Sequence, residues 1–418
     1  MINIDRGALI ERFMRYVRVD TQSDPNSTTF PSTAKQKDLS KLLYKELGKL
    51  VKQVHMDEHG YVYAVIPSNS IKKNIPVICF CSHVDTAPDC SGTHVKPILH
   101  RYTGKDIVFP DDPSLVLSAV DSPYLNEHLE EEIITASGLT LLGADDKSGV
   151  AVIMQAVQYL VENNVVHGEI SIVFTPDEEV GKGTSKIDMK RIGAQYGYTL
   201  DGGERGSLED ETFSADGATI TVYGVSAHPG YAKDKLVNAI KIAGEIAAVL
   251  PKKEWCPEST QKREGFVHPV AINGIAEKST LTFILRDFNA ADLPLHHKRL
   301  KEIAENVVRN YPGAYIEYQS QEQYRNMKQV LDKVPWVVEF AAEAIKRTGL
   351  SVKKESIRGG TDGSKLSYMG LPCPNIFTGM QNIHSRLEWI AVNDMVKAAE
   401  TLVHLSMIWE EKGNAGSG

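Results

Sequence analysis

Two histidines and five acids stand just after apolar runs in this chain: His83, Asp85, Asp145, Glu178, Glu179, Asp201 and His384. Open α/β sheets place their chemistry at the carboxyl ends of strands, where such apolar runs would deliver these side chains. Imidazoles and carboxylates are the ligand types of divalent ions of the zinc class. The set is large enough for two ions, with one acid left over to act as a base. Activation of water for hydrolysis is the chemistry it points to.

Each motif taken singly has a plainer reading. His83 and Asp85 are one residue apart, so in an extended chain they point the same way, and Asp85 can hold the tautomer of His83 as carboxylates do for metal-bound histidines. The same pair also fits a surface hydrogen bond. Asp145 and Asp146 adjoin at a strand-to-helix turn, where neighbouring carboxylates repel unless cations or helix N-terminal amides neutralise them. A helix N-cap fits there too, but a carboxylate has two oxygens, and that makes Asp145 the candidate bridge between ions. Glu178 and Glu179 diverge in an extended turn, so one can ligate while the other reaches the activated water; a solvated acidic turn before Gly181 and Gly183 is the alternative. Asp201 and His384 each fit an ordinary loop residue. The ordered set His-x-Asp, Asp, Glu-Glu, Asp, His is what gives the members weight.

The elements that must position them follow from periodicity. Residues 6–17 and 33–50 have helical spacing, and 61–66 and 77–81 read as strands, the second apolar throughout as for a strand buried on both faces. Residues 92–135 are irregular and rich in Pro and Asp, which predicts a long surface excursion. A helix over 150–160 follows the Asp145 turn, and a strand over 169–174 ends at Pro176-Asp177-Glu178-Glu179. This alternation predicts an α/β fold, a mixed sheet flanked by helices. From residue 213 the texture changes to α+β, with strands at 218–224, 281–288 and 314–319 and helices at 238–250 and 293–309. Since 418 residues exceed what one core usually organises, the expected organisation is a catalytic domain of residues 1–212 and 326–418 interrupted by a lid domain of residues 213–325. A helix over 334–347 and loops at 359–363 and 383–385 return the chain to the first domain.

Composition narrows the partners. A net charge of −8 argues against a nucleic-acid partner, which calls for clustered Lys and Arg. No apolar stretch reaches the roughly 20 residues of a membrane span, and the N-terminal segment carries Asp5 and Glu11, so no membrane association is expected. Cys79, Cys81, Cys90, Cys256 and Cys373 are odd in number and scattered, which fits a reducing cytoplasm better than a disulfide framework. Residues 413–418 are small and polar and read as a frayed end.

Seven motifs together resemble the M20 family of co-catalytic zinc peptidases, and within it the aminotripeptidases, over nearly the whole chain. They are Ser82-His83-Val84-Asp85-Thr86, Leu142-Gly143-Ala144-Asp145-Asp146-Lys147-Ser148-Gly149, Thr175-Pro176-Asp177-Glu178-Glu179, Leu200-Asp201-Gly202-Gly203, Ser226-Ala227-His228-Pro229-Gly230, Arg358-Gly359-Gly360-Thr361-Asp362-Gly363 and Asn382-Ile383-His384-Ser385. The resemblance implies two zinc ions per subunit: His83 and Asp201 on one, Glu179 and His384 on the other, and Asp145 bridging. It implies that Glu178 is the general base, that Asp85 orients His83, that the peptide bond before Asp146 is strained and often cis, and that His228 in the lid donates to the developing oxyanion.

Arg286 and Arg358 are the cations best able to fork onto a substrate carboxylate, with Asn273 as a further polar contact. The resemblance implies a small peptide, a tripeptide, as substrate, and lid contacts that in relatives make dimers, so a homodimer is among the expected assemblies. A dipeptidase, an N-acyl amino acid amidohydrolase and a non-hydrolytic metal-loaded peptide-binding protein are the alternatives.

Overall fold

The computed structural model describes residues 2–413; the rest of the tail expected to fray, residues 414–418, lies outside the described residues. The described residues divide into two compact units, residues 2–210 with 329–355 and 361–413, and residues 211–328 with 356–360.

The first unit is organised by an eight-stranded mixed sheet. Its order is Gln53–Met56, Val62–Ile66, Ile170–Thr175, Ile78–His83, Tyr196–Gly202, Asn375–Phe377, Ser207–Thr212, Lys353–Ile357. The four strands from Ile170–Thr175 to Asn375–Phe377 run parallel, and the strands outside them pair antiparallel where their register is defined. Ile78–His83 and Ile170–Thr175 are buried at every position, as central strands covered on both faces must be. The predicted strand over 77–81 therefore runs two residues further and carries His83 as its last member.

One face is covered by the helix Ala144–Glu162, itself packed between Val392–Lys412 and Arg6–Val17. The other face packs Cys79, Cys81, Val173 and Cys373 against Leu366 and Leu371 around the helix Asp362–Tyr368. All five cysteines are free.

Close approach of Ala144–Glu162 to the sheet depends on Gly149. A Cβ there would meet the Leu200 carbonyl at 1.9 Å, Asp146 Oδ1 at 2.4 Å and Ser82 Oγ at 2.5 Å.

The predicted surface excursion over 92–135 is corrected. It contributes Ile98–Arg101 and Glu132–Thr135 to a four-stranded sheet with Trp389–Ala391 and Met380–Gln381. Tyr102, Phe109, Leu117, Tyr124, Leu125 and Ile133 bury a small core with Trp389. Its strands span two to four residues, too short for an alternation to register against the intervening Pro and Asp.

The second unit has an antiparallel sheet ordered Phe266–Gly274, Lys278–Asp287, Ser214–Tyr223, Tyr315–Tyr324. Alternate residues Ala218, Ile220, Val222, Leu281, Phe283 and Leu285 face Ile242, Ile246, Leu300 and Ala304 of the helices Ala239–Ala248 and Leu293–Val308. The expected lid boundaries of 213–325 omit residues 356–360. Those residues join this unit because Phe213 donates its N–H to the Ile357 carbonyl at 3.1 Å and Arg358 lies over the rings of Phe213 and Phe266.

Candidate metal centre

Three parallel strands and two loops of the first unit bring His83, Asp145, Glu178, Glu179, Asp201 and His384 together. His83 ends one strand, Asp201 lies in the neighbouring strand Tyr196–Gly202, and Glu178 and Glu179 follow Ile170–Thr175 on the opposite side. The Asp145 carboxylate lies between the two imidazoles: Oδ1 is 3.0 Å from His83 Nε2 and Oδ2 is 3.2 Å from His384 Nε2. His83 Nε2 is also 3.8 Å from Asp201 Oδ1 and 4.0 Å from Glu178 Oε2, and His384 Nε2 is 3.0 Å from Glu179 Oε2. Ligand atoms of His83, Asp145 and Glu179 lie within 4.8 Å of one another, and so do those of His83, Asp146 and Asp201.

The main chain beneath these side chains is held by side-chain acceptors from elsewhere in the unit. Asp146 accepts the His83 N–H at 3.1 Å, Asn375 accepts that of Asp201 at 3.0 Å, and Asp85 accepts those of Glu178 at 3.0 Å and Glu179 at 3.1 Å. Asp85 also lies 3.4 Å from His83 Nδ1, whose nearest acceptor is the Asp85 carbonyl at 3.1 Å. Asp85 therefore fixes both the first histidine and the Glu178–Glu179 turn. Asp146, which also takes the Gly149 N–H at 3.1 Å, spends its carboxylate on the backbone. The Asp145–Asp146 peptide is cis, and regular helix geometry begins only after Asp146.

Charge in this site is crowded. Burial pushes the Glu178 carboxyl well above the usual carboxylate range; His83 opposes this and the acids Asp362, Asp201 and Glu179 add to it. Burial and Asp145 raise Glu179 to about 8 and Asp201 to about 6. Asp145 goes the other way: burial would raise it, but hydrogen bonds to His384 and His83 hold it below its ordinary value. His384 is raised to about 11 by its hydrogen bonds to Asp145 and Glu179.

This is a site short of positive charge. Glu179 Oε1 is buried without a hydrogen-bond partner, and an unpaired buried carboxylate oxygen is costly. Two imidazoles and three carboxylates supply the N and O donors that zinc-class ions take. The residues fit the binding of divalent cations.

Sequence reasoning missed the residues beneath the candidate ligands. Glu388 accepts the N–H groups of Leu142 and Gly143 at 2.7 Å each and of Asp145 at 3.0 Å. Its only sequence signal is an acid wedged before the apolar Trp389-Ile390-Ala391. Asp177, buried at φ 60°, takes the Ser32 N–H and the Gln36 side-chain amide, both at 2.6 Å, and so braces the Glu178 turn from the other side.

The other expected substrate readers lie in the second unit. His228 and Asn273 are exposed, and His228 Nδ1 accepts the Gly230 N–H at 3.2 Å. Arg286 donates to the carbonyls of Asp216 and Leu285 and lies over the Tyr324 ring. Arg358 donates to the carbonyls of Lys262 and Glu264 and to Thr260 Oγ1.

Residues 141–407 match the model of peptidase family M20/M25/M40. Among similar chains, the peptidase T of Geobacillus thermodenitrificans is 46% identical over 97% of this chain and 98% of its own. That of Listeria innocua is 43% identical over 97% and 99%. In fold, the chain is similar to aminopeptidase PepT from Bacillus cereus, with TM-score 0.74 at 24% identity over 97% of this chain and 99% of that one. It is also similar to a tripeptidase from Staphylococcus aureus, with TM-score 0.75 at 21% identity over 98% and 99%. A Bacillus subtilis protein described as a dinuclear metal binding peptidase of the M20 family has TM-score 0.64 at 14% identity over 96% and 98%.

Proposed function

Because the chain belongs to peptidase family M20 and is a peptidase of the peptidase T type, we propose that it releases the N-terminal residue of tripeptides by metal-assisted hydrolysis with Glu178 as general base. The observation that carries this reading is the Asp145 carboxylate with one oxygen toward His83 and the other toward His384. His83 and Asp201 would hold one zinc ion, Glu179 and His384 the other, and Asp145 both. The chemistry such a pair supplies is acidification of a water and polarisation of the scissile carbonyl.

The remaining work belongs to the protein's own groups. Glu178, whose Oε2 lies 4.0 Å from His83 Nε2, is placed to take a proton from water and pass it to the leaving amine. Asp85 holds the Glu178 main chain so that this carboxylate points at the shared site rather than at solvent. Recognition of the substrate's carbonyl and carboxylate is proposed to fall to His228, Asn273, Arg286 and Arg358.

The reading is tested with zinc-loaded protein on a free tripeptide, its matching dipeptide and tetrapeptide, and the N-acetylated tripeptide. Cleavage confined to the free tripeptide is expected. Preference for the dipeptide or the acetylated peptide would overturn the tripeptidase assignment and leave the metal chemistry standing.

A further inference from the structure

We propose that Glu388 is a positioning residue: its carboxylate fills a nest of main-chain N–H groups and so preshapes the turn that presents Asp145, before any ion is bound. The inference rests on the reading of Asp145 as the residue shared by two ions. Glu388 is buried, 1% exposed, and three donors converge on it, Leu142 and Gly143 on Oε2 and Asp145 on Oε1. Gly143 at φ 83° supplies the left-handed residue that turns successive N–H groups toward one anion. With no carboxylate there, three buried N–H groups would be left unsatisfied, which is costly for each.

The same short segment grips Asp145 twice. His384 meets its side chain at 3.2 Å, and Glu388, four residues later, holds its main chain at 3.0 Å. The bridge is therefore fixed at backbone and carboxylate from one loop, and neither grip requires metal.

Since both ions would share Asp145, loosening its backbone should weaken both sites together. Glu388→Gln keeps the shape but sets an NH2 group against one of the N–H donors. Removing partners that orient metal ligands typically costs about 10–100-fold in metal affinity. The test measures zinc affinity by chelator competition for wild type, E388Q and Asp145→Asn.

In parallel, amide hydrogen exchange over residues 141–146 is measured in metal-free wild type, which keeps the test decisive if E388Q does not fold. Expected are two ions in wild type, both weakened at least about 10-fold in E388Q, and slow exchange at Leu142, Gly143 and Asp145 without metal. Wild-type affinities in E388Q, or protection that appears only on metal loading, would overturn the Glu388 role alone. Wild type that takes up no ion pair, or D145N that keeps both ions, would overturn the underlying metal reading and this inference with it.

Discussion

Asp85 accepts the main-chain N–H of Glu178 at 3.0 Å, which joins the residue two places after the first histidine to the residue proposed as base. The carboxylate's other oxygen takes the Glu179 N–H at 3.1 Å. One buried acid thus sets the direction of two side chains with different tasks.

The variants Asp85→Asn and Asp85→Ala separate this role from mere packing. Asparagine keeps one acceptor oxygen; alanine leaves two partly buried N–H groups without their acceptor, at up to about 1 kcal/mol each. The expected outcome is a graded fall in kcat, alanine below asparagine, with KM moving less. Glu178→Gln should lower kcat by about 10²–10⁴-fold while both ions stay bound, measured as steady-state kinetics beside metal content. A loss of metal in Glu178→Gln would make Glu178 a ligand rather than a base.

Gly149→Ala asks for space the fold does not have. The added methyl would run into the Leu200 carbonyl at 1.9 Å and Asp146 Oδ1 at 2.4 Å, and overpacking a tight core typically costs about 1–3 kcal/mol. Because Asp146 also holds the His83 N–H, thermal stability and zinc affinity should fall together. Unchanged zinc affinity in a destabilised variant would show that Asp146 does not transmit the shift.

Asp394 gives stability a pH dependence away from the candidate metal centre. It is fully buried beside Tyr124, His128, Arg205 and Glu131, and burial, offset in part by Arg205 and Tyr124, raises its carboxyl from 3.8 to about 8. The folded state then keeps a proton that the unfolded state releases between those values, so this group's contribution to stability falls as pH rises from about 4 to about 8 and is flat above. Asp394→Asn should flatten that stretch of the curve of Tm against pH and gain most near pH 8. An undiminished slope would locate the titration elsewhere.

Much of this was legible in the amino-acid sequence because the site sits where sheet logic puts it. The apolar run before His83 and the helical pattern after Asp145 are signals of single elements, and the candidate ligands sit at their ends. Glu388 and Asn375 were not legible for the opposite reason. Their partners are main-chain N–H groups more than 170 residues away, and a buried acid that satisfies backbone has the same letter as one in water. The core of residues 92–135 escaped because it is completed by Trp389 from far along the chain. Residues 356–360 group with residues 211–328 through Arg358, which lies over Phe213 and Phe266, a contact that no periodicity signals.

The candidate ligands run from residue 83 to residue 384, and their convergence is a contact of long sequence separation, of the kind that forms late because chain closure must precede it. A folding intermediate that has assembled only the strands through Asp201 holds four of the five candidate ligands and lacks His384. High-affinity metal uptake would then be a clock for completed folding. Ions that bind only the finished site would also pull the last step forward by mass action, so the availability of metal during refolding would set the yield of native protein as well as its activity.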